Sequence, residues 1–286
     1  MTVTHALGDV HTVDTHLMGV PGALSLYIID SPRPAIVDTG AASTTERISE
    51  ALDELDIAPE AVEHVLVTHV HLDHAGGAGA LANECPNATF YVHEAGLSYL
   101  TDPDDLERLK RSVDRTMGVE DAYGVPERLD ESRCRAVSGG EAIDLGDRDL
   151  ELIDAPGHAP HHFAAFDTET EAMFSIDAAG MYFDGEMRPT TPPPGFDLEA
   201  NLDTVDRLRA YDPERNFYGH FGPGGPDAIR ELDRYERMLP EWVEVVERLY
   251  ERHGDDVDAI VSALGPEWQS PTVRRDVAGV IHARIE

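Results

Sequence analysis

Apolar positions recur along this chain with two different spacings, and the change from one to the other outlines its elements. Residues 1–16 alternate polar and apolar side chains, and residues 24–29 and 35–37 are short apolar runs. Pro21-Gly22 and Ser31-Pro-Arg-Pro34 bracket those runs, which predicts strands joined by turns. Ser43 or Thr44 is placed to cap a helix over about 45–55, with Ile48, Leu52 and Leu55 on one face. Residues 65–67 predict a short buried strand, 89–92 another, and 94–119 a charged helical stretch. Residues 135–154 read as hairpin strands turning at Gly139-Gly140 and Gly146-Asp147, and 163–166 with 172–176 as a further strand pair. A proline-rich loop at 189–195, a helix at 198–211 and a strand at 216–219 follow, and helices at 228–252, 257–264 and 273–285 complete the chain. Alternating strand pairs and helices imply two sheets with helices outside them. The expected division is a domain over 1–225, with a helical insertion at about 94–133, and a helical appendage over 226–286.

Composition changes this picture in one respect. Lys plus Arg number 22 against 56 Asp plus Glu, a formal net charge of −34, and Lys110 is the single lysine. The acids are spread through apolar, helically spaced sequence, so they read as a solvated folded surface. Such a surface repels itself in dilute salt and tolerates strong screening, which resembles the proteins of salt-loving microbes. It also argues against a nucleic-acid binder, which needs a basic face. Cys85 and Cys134 lie 49 positions apart and fit no metal-binding pair, so free thiols are expected. No secretory leader and no apolar run of membrane-spanning length is read, so a cytoplasmic chain without membrane contact is expected.

Candidate chemistry begins where the strand at 65–67 ends. His69-Val-His71-Leu-Asp73-His74 puts four potential ligands into six residues, without sulfur. Imidazole and carboxylate suit zinc, iron or manganese, and a strand end fixes where such side chains start. His158, Asp177 and His220 each stand shortly after another apolar run and close to a glycine. Asp38, in Asp38-Thr-Gly40, reads either as a partner for a ligand histidine or as a turn former. One of His161 and His162 is expected beside the site.

These residues together resemble the metallo-β-lactamase superfamily, over roughly residues 7–225. The resemblance rests on Asp38-Thr-Gly40, on the HxHxDH stretch and on the order His158, Asp177, His220. It implies an α/β fold, a four-layer αβ/βα sandwich with a C-terminal helical extension. It implies two divalent transition-metal ions, zinc first among them, with iron or manganese as alternatives. His69, His71 and His158 would hold one ion, Asp73, His74 and His220 the other, and Asp177 would bridge them. The implied activity is hydrolysis of a small ester, thioester or lactone by a hydroxide bound to both metals, with Asp73 and Asp177 as catalytic residues. The alternatives are a mononuclear-iron redox enzyme of the persulfide dioxygenase kind, or a phosphodiesterase or nuclease.

Departures from subfamily patterns narrow the substrate. Phe221-Gly222 follows His220 where glutathione thioesterases usually carry a tyrosine, and their basic cluster is not recognisable, although Arg274-Arg275 lie in the right region. Acyl-homoserine lactonases place a tyrosine three positions after the bridging aspartate; here that position is Gly180, with Tyr182 two further on. The insertion at 94–133 is expected to fold over the site with the Pro192-Pro-Pro194 loop. A small-molecule substrate and a possible homodimer complete the expectations.

Overall fold

A computed structural model describes residues 3–285; Met1 and Thr2, at the head of the alternating segment, and Glu286 lie outside the described residues. The first sheet has seven strands in sequence order: β1 (Val3–Leu7), β2 (Val10–Asp14), β3 (Ser25–Ile29), β4 (Ala35–Val37), β5 (His64–Val67), β6 (Thr89–His93) and β7 (Cys134–Val137). β1 to β4 pair antiparallel, and β4 to β7 parallel. The second sheet contains β8 (Ala142–Asp144), β9 (Asp149–Asp154), β10 (Phe163–Asp167), β11 (Ala172–Phe174) and β14 (Arg215–Phe217), in the order β14-β11-β10-β9-β8. β12 (Met181–Phe183) and β13 (Glu186–Arg188) form a separate hairpin.

The alternation within β3 shows how four layers arise. Leu26 and Ile28 face one apolar cluster, shared with helices α1 (Glu46–Glu54), α2 (Leu72–Ala75) and α3 (Ala78–Glu84). Tyr27 and Ile29 face another, shared with Phe163, Phe174 and Phe217 of the second sheet. Successive side chains of a strand point to opposite faces, so a strand apolar at every position is buried on both. Fully burying each such side chain contributes about 1.5–3 kcal/mol. Behind the second sheet pack α6 (Leu198–Arg209), α7 (Ala228–His253), α8 (Val257–Ala263) and α9 (Val273–Ile285). Leu208, Trp242, Ile260 and Val277 from these helices share one buried cluster with Ile153 and Met173 of the second sheet. This is the four-layer α/β sandwich with C-terminal helices.

Three local expectations need correction. Residues 135–154 do not form one hairpin system: β7 pairs parallel with β6, and only β8 and β9 pair with each other. The glycines at 139 and 140, both at positive φ, carry the chain from the first sheet to the second. The helical stretch from 94 is two helices, α4 (Leu97–Thr101) and α5 (Pro103–Met117), and ends at Gly118. Asp102 caps α5 by accepting from the Asp104 and Asp105 N–H groups, and Pro103 takes the first helical turn. Finally, neither Ser43 nor Thr44 caps α1; its first turn follows Thr45, which makes no side-chain cap bond.

Glycine is required where α3 passes residue 127. A Cβ on Gly79 would lie 2.2 Å from the Glu127 carbonyl oxygen, so the glycine run after the histidines serves close packing.

Candidate metal centre

Four strand ends deliver the candidate ligands. Thr68 and His69 follow β5, His158 follows β9, Asp177 follows β11 and His220 follows β14. His71 leads into α2, whose first turn carries Asp73 and His74. All are buried except His71, which is partly so.

Each histidine but His71 has one ring nitrogen tied outward and the other turned to the centre. The Thr68 hydroxyl donates to Asp38 Oδ1 at 2.8 Å, so the 3.1 Å contact between Thr68 Oγ1 and His69 Nδ1 has the ring N–H as donor. His74 Nδ1 donates to Asp38 Oδ2 at 2.8 Å, His158 Nδ1 to the Thr190 carbonyl at 3.0 Å, and His220 Nδ1 to the Ala23 carbonyl at 2.6 Å. Such outward bonds fix the tautomer and leave the Nε2 lone pair for a metal. Among the described residues His69 Nε2 has no hydrogen-bond partner, nor has Asp177 Oδ1. His158 Nε2 lies 3.0 Å from His71 Nδ1, and His74 Nε2 3.4 Å from His220 Nε2. Converging lone pairs of this kind, buried and unpaired, are costly unless a cation lies among them.

The donors form two trios. His69, His71 and His158 offer atoms within 4.8 Å of one another, and so do Asp73, His74 and His220. Asp177 stands between them: its Oδ2 is 3.5 Å from His158 Nε2, 3.6 Å from His74 Nε2 and 3.4 Å from His220 Nε2. Asp38, His69 and His74 make a third grouping. The Asp38 oxygens, however, are already taken by the Thr68 N–H and hydroxyl and by His74, so Asp38 acts as a brace. These groups of nitrogen and carboxylate oxygen donors could hold divalent metal.

Strained backbone holds this arrangement. Asp38, Ile176 and Phe221 all have positive φ, at 64°, 48° and 66°. For β-branched Ile176 this is an outlier that surrounding structure must enforce, and the residue it aims is Asp177. Beside His220 only glycine fits: a Cβ on Gly219 would lie 2.5 Å from His74 Cε1 and 2.7 Å from Asp177 Oδ1.

Other expected residues fall in different places. His162 is fully buried and stacks on His69, with centroids 4.7 Å apart; neither of its ring nitrogens has a partner. His161 accepts from the Val70 N–H at 3.4 Å and packs edge-on against His71. Both therefore adjoin the centre. Tyr182 stacks over the Tyr218 ring on the β12–β13 hairpin and does not line the cavity above Asp73. Thr116 and Met117, from the end of α5, and Tyr123 do line that cavity. Leu109 and Val113 line a smaller one with His71, Asp73 and the Pro192-Pro-Pro194 loop.

The sequence reading missed Arg275 as a site residue. It reaches from α9 to place Nη1 3.1 Å from Asp73 Oδ2. Burial would raise the Asp73 pKa, but Arg275 and the neighbouring histidines outweigh it and hold the carboxyl far below its ordinary range. The available signal was the Arg274-Arg275 pair itself, in a chain poor in basic residues.

Comparison with known proteins identifies the family and the fold. A metallo-β-lactamase fold protein of Sulfurisphaera tokodaii is 29% identical over 227 residues, covering 78% of this chain and 82% of that protein. An N-acyl homoserine lactonase of Bacillus thuringiensis is 26% identical over 205 residues, 69% of this chain and 68% of the lactonase. The crystal structure of an archaeal superfamily protein from Sulfolobus tokodaii superposes with a TM-score of 0.71 at 22% identity, over 99% of this chain and all of that one. A Thermus thermophilus family protein gives 0.63 at 20% identity, over 91% and 86%. The sequence model of the metallo-β-lactamase superfamily matches residues 19–220, a span that takes in every candidate ligand, and the chain belongs to that superfamily.

Proposed function

We propose that this chain is a two-metal hydrolase of small esters, thioesters or lactones. The observation that carries the reading is the position of Asp177 Oδ2, 3.4–3.6 Å from a ring nitrogen of His158 in one trio and of both His74 and His220 in the other. His69, His71 and His158 would hold one ion, and Asp73, His74 and His220 the second, with Asp177 shared. Two such ions, zinc, iron or manganese, would supply Lewis-acid polarisation of an acyl oxygen and make water acidic enough to react near neutral pH.

The chain's own residues prepare that chemistry. Asp38, Thr68, Thr190 and the Ala23 carbonyl orient the rings, so little reorganisation accompanies reaction. Arg275 keeps Asp73 ionised, leaving it able to hold a proton acceptor's orientation at the cavity floor. The apolar inter-sheet cluster closes the site from below. A single-iron redox centre would need only one trio, and the completeness of both favours hydrolysis.

The test is a substrate panel in high salt, with zinc, iron and manganese reconstituted separately. Thioesters, lactones, carboxyl esters, phosphodiesters and β-lactams belong in it. Turnover of an acyl substrate is the expected result. Oxygen uptake with iron and no hydrolysis of any panel member would replace this reading with the redox one.

A further inference from the structure

A cavity of about 680 Å³ opens above Asp73 and His220, within the range of about 300–1,000 Å³ usual for small-molecule sites. Its charged groups are confined to Asp73, Arg274 and Arg275. Leu17, Met18, Val20, Met117, Phe221 and Val257 make walls that are apolar. In a chain of net charge −34 that is a marked exception.

The wall carrying Met18 and Val20 is built, not incidental. The Ala23 carbonyl at its inner end accepts from His220, so the segment starts at the metal centre and runs outward. Asp14 pins both its ends, accepting from the His16 N–H at 2.9 Å and the Gly22 N–H at 2.8 Å. Between them His16 and Met18 adopt left-handed backbone, φ 52° and 53°. Strain of this kind persists only where surrounding structure enforces it, and here it leaves Met18 61% and Val20 46% exposed. Val119 and Val125 complete the exposed large apolar side chains among the described residues. They stand two positions after Met117 and Tyr123, both of which line the cavity. Met18 and Val20 line the cavity and are exposed, and surface apolar groups on a cavity wall mark a binding site.

We propose that this cavity takes the acyl arm of the substrate, so that the preferred substrates are medium-chain acyl esters, thioesters or lactones and not acetyl compounds. The proposal rests on the hydrolase reading above. The acyl carbon lies at the Asp73–His220 floor, and the chain extends along Leu17, Val20 and Met18 toward solvent, opposite Met117 and Val257.

The experiment measures kcat/KM in high salt for thioesters of one thiol, from acetyl to decanoyl. A wall that buries methylenes raises kcat/KM about two- to fourfold per methylene, the upper figure being full burial. Over the first six added methylenes the gain is about 60- to 4,000-fold. Met18→Asp together with Val20→Asp lowers the octanoyl-to-acetyl ratio at least tenfold in protein whose thermal transition is retained. Turnover that is flat along the series, or best with acetyl, overturns the proposal and leaves the hydrolase reading standing. If no thioester turns over, the hydrolase reading fails on this substrate class. Calorimetric binding of hexanoate, octanoate and decanoate to the metal-loaded protein then decides the arm: rising affinity supports it and flat affinity overturns it. Should the double variant dissociate a dimer while leaving the chain-length series unchanged, the apolar rim is a contact between copies and the proposal falls.

Discussion

The two trios at the metal centre have the same number of donors but unlike surroundings. His69 and His158 lean on neutral oxygens, the Thr68 hydroxyl and the Thr190 carbonyl, and the fully buried His162 ring stacks against His69. His74 leans on the Asp38 carboxylate, and Asp73 is gripped by Arg275. The first trio is therefore a buried nest backed by neutral oxygens and imidazole rings, and the second is part of a chain of charges running from Asp38 to α9. A divalent ion in the first would have no ligand that is also bonded to a guanidinium. In the second it competes with a guanidinium for the electrons of Asp73 and is repelled by that cation at short range. The trios on either side of Asp177 are therefore expected to bind metal with unequal strength, the first more tightly.

Removing the shared residue has the largest expected effect. Asp177→Ala lowers kcat by at least about a thousandfold, the scale expected when metal-based charge stabilisation is lost. It also weakens both metals, read by chelator competition; loss confined to one would break the bridging assignment. His220→Ala should leave one tightly held equivalent, whereas His158→Ala should leave only the weaker one. Equal residual affinity in the two variants would erase the contrast drawn here. Asp38→Ala, by freeing the His74 ring, costs about 10–100-fold in affinity for the second ion alone, the usual range for such bracing partners. Arg275→Met goes the other way, strengthening the second ion about tenfold while the first is unchanged. A weakening would show that Arg275 serves Asp73 by orienting it.

The smallest effect is on the pH dependence of the metal-free protein. Burial first, then neighbouring histidines, lower the pKa values of His69 and His71 below the ordinary 6.5; burial also brings His158 down, to about 4. His74 is raised, because Asp177 and Asp38 outweigh its burial. His161 and His162 are lowered as well, so at the centre the lowered rings outnumber the raised one. These groups bind more protons in the unfolded chain between about pH 4 and 6.5, against the smaller opposing effect of Asp276, whose buried carboxyl is raised to about 6. Stability therefore falls as the pH drops through 6.5. Thermal scans of chelator-treated protein in high salt should show the transition temperature declining from pH 7 to 5. A flat profile would mean that the first trio is not the desolvated nest described here.

Much of this was legible in the sequence because the ligands follow strands. A run such as Val65-Leu66-Val67 announces a buried strand, and the six residues after it announce metal chemistry. His158, Asp177 and His220 were likewise visible as donors after apolar runs, and the structure brings them to one place. What escaped was whatever depends on contacts remote in sequence. Arg275 meets Asp73 across 202 positions, and no local pattern distinguishes it from Arg274, which pairs with Asp258 at the surface. The split of residues 135–154 between two sheets also left no local mark, since both halves alternate like strands and only the partners differ. Tyr182, two positions beyond Gly180, reads as a packed aromatic, and on the β12–β13 hairpin it stacks on Tyr218.

Metal content measured by elemental analysis on dialysed protein, alongside His220→Ala, tests the central claim most directly. Two equivalents per chain in the parent and one in the variant is the result expected from two trios sharing Asp177. A folded, active parent holding one equivalent or none would contradict it.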